Sequence, residues 1–161
     1  MGDDHSRIDL GKLSRLAEAG ELYQVSDKIT ATALVPAVFV LWSGGSKGLA
    51  VRLISARVNT DTTIDIAFVG LLANPALAAG NTIGNLRLGG GSSQAFTEAA
   101  AIAAAAFSGV FVTGTIIPGG YAELLSPGGI YLPPNTGVMV FSVTAAATIS
   151  TTWLWAECPR E

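Results

Sequence analysis

After residue 28 this sequence breaks into short apolar and β-branched runs, each closed by glycine, proline, asparagine or serine. That punctuation constrains the fold more than any other feature. A strand takes about five or six residues, a turn takes residues that tolerate tight or left-handed backbone, and this chain supplies the two in alternation. Leu34–Trp42 is a mostly continuous apolar run and ends in the turn Ser43-Gly44-Gly45-Ser46-Lys47. Leu49–Val58 alternates, with Leu49, Val51 and Leu53 on one side, and Asn59-Thr60-Asp61 reverses the chain. In Thr62–Leu72, Ile64, Ile66 and Phe68 share a face opposite Asp65. A loop through Asn74-Pro75 and Gly80-Asn81 leads to a short strand around Ile83–Leu88 and then the break Gly89–Ser93. Gly109–Ile117, Gly120–Leu125, Ile130–Leu132, Gly137–Thr144 and Thr148–Glu157 read as further strands. The mostly alanine segment Ala99–Phe107 suits a helical turn or a small-residue strand, and the β-branched run after it favours strand. Many short strands with turn chemistry between them predict an all-β sandwich or barrel. Helical crossovers of the kind an α/β fold needs do not recur, and no long repeat suggests a solenoid.

The first 28 residues have a different texture. Ten of the 21 Asp, Glu, Lys and Arg residues lie there, which leaves 11 for the other 133 positions. Leu10, Leu13, Leu16 and Ala17 recur at helical spacing, Asp9 can cap the start and Gly20 can end the helix. A helix of about three turns is not stable alone, so it must dock on its own body or on a neighbour. The expected division is a polar N-terminal arm over residues 1–28 and a β-sandwich body over 29–161.

Charged residues are 13% and hydrophobic residues 50% of the chain, where a typical soluble domain is about 25% charged. So few charges on so apolar a body imply that other chains cover part of its surface. A net charge of −3, with Lys and Arg scattered, argues against direct binding of nucleic acid. The single Cys158 allows no intrachain disulfide, and Met1-Gly2-Asp3-Asp4-His5 lacks the pattern of a signal peptide. No window offers about 18 uninterrupted apolar residues. The expectation is a soluble protein made in the cytoplasm, without a membrane span.

Three segments carry a family resemblance. They are the pair Leu34–Trp42 and Leu49–Val58, the stretch Ser126-Pro127-Gly128-Gly129-Ile130-Tyr131-Leu132-Pro133-Pro134-Asn135-Thr136-Gly137 leading into Val138–Phe141, and the close Ala146–Glu157 with its Thr-rich strand and Trp153-Leu154-Trp155. From about residue 34 to 157 the chain resembles small jelly-roll virion proteins of tailed bacteriophages, both capsid decoration (cement) proteins and the head domains of fibres. The resemblance implies a jelly-roll-like β-sandwich, a symmetric homo-oligomer such as a trimer, and a place on a capsid or tail, while the short N-terminal helical arm read from the leucine spacing is not part of that pattern. It carries over no catalytic residue and no cofactor. A capsid decoration or minor capsid protein is the first expectation. A receptor- or carbohydrate-binding fibre head, with Tyr121, Tyr131 and the tryptophans as contacts, is the alternative.

An enzyme has little to work with here. The only histidine, His5, lies in the arm, where no scaffold holds a base within reach of a nucleophile. With Asp3 and Asp4 it makes an open cluster of adjacent residues, not a closed metal site. Cys158 has no basic cluster nearby in sequence to lower its pKa. The body carboxylates Asp61, Asp65, Glu98, Glu123 and Glu157 are not paired by any spacing. Gly84–Gly91 lacks a Walker lysine and reads as loop glycine. The expected interface residues are Leu10, Leu13 and Leu16 on the arm, Arg52 and Arg57 on an otherwise apolar strand, and Trp153 and Trp155 as core or subunit seam. Asp61 and Asp65 are the expected acidic partners of the two arginines.

Overall fold

The computed structural model describes residues 10–30, 37–43, 49–72, 84–91, 93, 95–99, 107–119, 121–125, 129–142 and 148–159. The helix α1 spans Leu10–Ala19. Gly20 ends it with φ +77, and two bonds close the last turn: Gly20 N to Ala17 O at 3.0 Å and Glu21 N to Leu16 O at 2.9 Å. This is the double closure of a Schellman motif, which needs a left-handed residue at that position. Asp9, the expected cap, lies outside the described residues.

The chain then enters β1, Leu22–Thr30, at once. The body therefore begins at Leu22, inside the segment that charge density assigned to the arm. Asp27 and Lys28 are strand residues, and their charge disguised them. The other strands are β2 Ala37–Trp42, β3 Leu49–Thr60, β4 Ile64–Leu71, β5 Gly84–Asn85, β6 Phe96–Ala99, β7 Phe107–Ile116, β8 Tyr121–Glu123, β9 Ile130–Leu132, β10 Gly137–Ser142 and β11 Thr148–Pro159. The ends of the alanine segment belong to β6 and β7, while residues 100–106 lie outside the described residues.

Two antiparallel sheets result. The larger runs β5-β1-β11-β3-β8, with β9 also on the free edge of β3, and the smaller runs β6-β2-β10-β4-β7. The pairing is nested: β1 with β11, β2 with β10, β3 with β8 and β9, β4 with β7. First meets last and the chain folds inward from there, passing repeatedly between sheets, which is the strand arrangement of a jelly roll. The expected all-β, jelly-roll-like sandwich with a short N-terminal helix is what the chain forms.

Alternation places the core. Val25, Val51, Leu53, Val58, Ile149, Trp153 and Trp155 point inward from the larger sheet, and Phe39, Leu41, Ile64, Phe68, Val138 and Val140 from the smaller. Trp153 joins them: its ring lies 4.8 Å from that of Phe39 and 5.8 Å from that of Phe68. Trp155 stacks on Tyr23 at 6.1 Å. The smaller sheet is apolar on its outer side too, where Val40, Trp42, Val69, Leu71 and Met139 form a second buried cluster. A strand buried on both faces reads as a continuous apolar run, and Ala37–Trp42 and Gly137–Phe141 do so.

The corner between β9 and β10 shows how turn residues connect the sheets. Asn135 takes a left-handed φ of 60, as asparagine tolerates. The Pro133 carbonyl accepts from Thr136 Oγ1 and from Ser43 Oγ, both at 2.7 Å, while Ser43 N donates to Thr136 O at 2.9 Å. Ser43 thereby staples this corner to the end of β2.

Replacing Trp153 with alanine removes an indole that contacts both sheets, and a loss of about 3–5 kcal/mol is expected. Urea unfolding of the two proteins measures it. A loss below about 1 kcal/mol would mean that the sheets do not depend on this contact.

Candidate functional site

The expected interface residues do not gather in one place. α1 packs against β1 of its own chain, with Leu13 and Leu16 half-buried. The side chain of Leu10 lies outside the described residues. Trp153 and Trp155 are 0% exposed. Of the two readings given to them, core and subunit seam, the protomer's own core takes both, and they offer no surface to a neighbour. Arg52 and Arg57 are exposed on β3. Arg57 pairs within the chain, and its partner is Glu123, in place of the expected Asp61 or Asp65.

That pair belongs to a construction along the free edge of β3. The β3–β11 ladder shifts register between Leu154, opposite Ser55, and Trp155, opposite Leu53, so that Ile54 has no partner on β11. Such a bulge bends a strand and interrupts its pairing. On the other edge, β9 pairs with residues 51–53 and β8 with residues 57–59. The Glu123 carboxylate serves the gap between them. It accepts from Ala56 N at 3.0 Å, from Ser55 Oγ at 3.3 Å and from Arg57 Nε at 2.9 Å, and Leu124 N donates to Ala56 O at 2.8 Å. Gly129 brings β9 in beside the bulge with φ +70, and a Cβ there would stand 2.0 Å from Leu53 O. Only glycine fits that approach.

The Arg57 guanidinium also lies over the Tyr121 ring, 5.0 Å from its centroid. Its pKa is raised, first by the hydrogen bond to Glu123 and then by that carboxylate's charge. Tyr121 is 66% and Tyr131 55% exposed, and Tyr131 stands opposite Arg52. The result is a polar edge with two exposed aromatic rings, one of them held under a fixed guanidinium.

No protein-family model matches the chain, and neither the curated proteins nor the solved structures contain a significant match to it. The site is therefore read from its own chemistry.

The body carboxylates are engaged separately. Asp65 accepts from Thr115 Oγ1 at 2.6 Å, and Asp61 accepts from Thr148 N at 3.0 Å. Glu157 is buried and accepts from Ser93 Oγ, from Ala95 N at 3.2 Å and from Trp155 Nε1 at 3.4 Å. It anchors the connection between β5 and β6 to the core. The side chains of Glu98 and Cys158, and all of His5, lie outside the described residues. Among the described residues no three His, Cys, Asp or Glu side chains gather as metal ligands, and no helix is long and apolar enough to cross a membrane.

The glycine-rich stretch is turn chemistry organised by Asn85, whose Nδ2 donates to Gly20 O at 3.0 Å and Gly91 O at 2.8 Å. Its Oδ1 accepts from Arg87 N at 2.9 Å, a side chain standing in for backbone in a turn. Sequence reasoning missed this hub and the Glu123 anchor. Asn85 did carry a signal, an asparagine after glycine at the mouth of a loop. Glu123 carried one only in retrospect, as the outward alternate of Tyr121 on a short strand.

Two groups tie stability to pH. Burial raises the Tyr23 phenol above 10.0, Glu157 and Glu21 add to the rise, and a hydrogen bond with Asn85 opposes it. Its contribution is complete below pH 10.0 and is lost as pH climbs through the higher folded value. Asp61 is lowered from 3.8, first by the Thr148 backbone bond, with Lys28 assisting. Its contribution is present above pH 3.8 and is lost as pH falls through the folded value. Thermal melts across pH should show Tyr23→Phe flattening only the alkaline limb and Asp61→Asn only the acid limb. Limbs unchanged from wild type would assign the pH dependence to other groups.

Proposed function

We propose that this chain is a non-enzymatic structural protein of a virion, a capsid decoration (cement) or minor capsid protein. It associates with copies of itself in a symmetric oligomer, a trimer being the expected order, and docks on neighbouring capsid or tail subunits. It needs no cofactor, membrane or nucleic acid, and it acts in the particle after synthesis in the host cytoplasm.

The observation that carries this reading is the distribution of exposed apolar side chains on a body with few charges. Leu88 is 99% exposed, and Leu72 and Ile117 are each 65% exposed. Large apolar side chains placed this way mark contact points when they fall inside an interface. The nested double-sheet arrangement supports the reading by analogy, because viral capsid proteins use it, although lectins do as well.

Such a protein works by removing area from water, at roughly 25 cal/mol per Å² of apolar surface, against the entropy of fixing the subunits together. The interface would draw on strand edges and turns. Trp153 and Trp155 are excluded from it by burial, and α1 contributes what Leu13 and Leu16 leave exposed beside β1.

Native mass spectrometry and light scattering of the full chain test the proposal. A discrete small oligomer that persists at micromolar concentration is expected. A monomer at every concentration would remove the argument from charge scarcity, and the reading with it.

A further inference from the structure

The edge that Glu123 builds has a property that assembly does not require. Arg57 is exposed, yet its guanidinium is fixed in two ways: Nε donates to Glu123 Oε2 at 2.9 Å, and the group lies 5.0 Å from the centroid of the Tyr121 ring. Neither restraint uses the two terminal nitrogens, for which no described residue acts as acceptor. A surface arginine ordinarily gives up side-chain entropy when it binds. Here the planar fork is already oriented, and a fork of that shape matches a carboxylate with two parallel hydrogen bonds.

The surroundings narrow the ligand further. Directly paired residues on neighbouring strands point to the same side of a sheet, so Tyr121, Asn59 and Ser150 form one row. Glu123, Arg57 and Thr152 form the adjacent row. Besides Tyr121, the neutral members of these rows are Asn59, Ser150 and Thr152, each with a hydroxyl or amide group. They recur at the strand spacing of about 4.8 Å, close to the width of one sugar ring. Tyr121, at the end of its row, offers a flat aromatic surface of the kind that packs against the C–H face of a pyranose.

We infer that the Arg57–Tyr121 edge is a binding site for an acidic saccharide, with Arg57 taking the carboxylate, Tyr121 the sugar ring, and Asn59 and Thr152 the hydroxyls. Glu123 is a positioning residue that holds Arg57 and repels a carboxylate placed out of register. The inference is independent of the assembly role: a site on the outer face of the larger sheet could serve a monomer or an oligomer.

Isothermal titration calorimetry of the full chain with tri-galacturonate tests it, with galactotriose as the neutral match and tri-glutamate as the acidic peptide match. Tri-galacturonate should bind, and galactotriose should bind about ten-fold more weakly or worse. Arg57→Gln and Tyr121→Ala should each weaken tri-galacturonate by about ten-fold, and Arg57→Lys, which keeps charge but loses the fork, should fall between. Thermal melts confirm that each variant is folded. Folding should survive, because an exposed ion pair contributes little and Glu123 keeps its bonds to Ser55 and Ala56. Absence of binding by tri-galacturonate, equal binding by Arg57→Gln, or binding of tri-glutamate as tight as that of the sugar would each overturn the assignment.

Discussion

The indole of Trp153 is where the two sheets meet, and the rest of the structure depends on that contact. It projects from the middle of β11, the strand that closes the nested pairing, and reaches Phe39 on β2 and Phe68 on β4. A sandwich needs side chains long enough to span about 10 Å between sheets, and one tryptophan against two phenylalanines does this at the centre. The placement has a cost. Trp153 Nε1 and Thr151 Oγ1 are buried and find no hydrogen-bond partner among the described residues, a burden of about 1–3 kcal/mol for each such group. Ring packing on both sides outweighs it.

The fixed position of β11 propagates to the edge of the sheet. Trp153 and Trp155 both face inward, and β3 accommodates them with the bulge at Ile54. On the outer edge, between the segments of β3 paired with β9 and with β8, the Glu123 carboxylate accepts from Ser55 Oγ and Ala56 N, and Leu124 N donates to Ala56 O. Arg57 is then fixed because Glu123 is, and Tyr121 is covered on one side because Arg57 is. The proposed saccharide site is thus a downstream consequence of how the core is packed.

The two sheets solve their outer faces differently. The larger one is polar outside, with hydroxyl pairs such as Ser26–Thr152 at 2.9 Å and Thr30–Thr148 at 3.0 Å spanning β1 and β11. These are cross-strand contacts of modest energy that leave the face open to water and solutes. The smaller sheet is apolar on both sides, and the described members of its outer cluster all come from β2, β4 and β10. A chain with 13% charged residues can be built this way because much of its apolar content lies in a sheet with two buried faces.

The sequence by itself determined most of the strands after β1, because alternation and turn residues are local properties, although the run around Ile83–Leu88 yields only the short β5 before a turn. Ile64, Ile66 and Phe68 opposite Asp65, the Pro-Pro-Asn corner and the glycine that ends α1 all stand where their chemistry required. It determined the helix for the same reason, through leucine spacing. Only tertiary structure decided that residues 22–28, Asp27 and Lys28 among them, join the larger sheet, since β1 pairs with β11 along its whole length. Tertiary structure alone also chose core over seam for the tryptophans, and Glu123 over Asp61 or Asp65 for Arg57. Those outcomes join residues far apart in the chain, and their register follows from a bulge that no local pattern encodes.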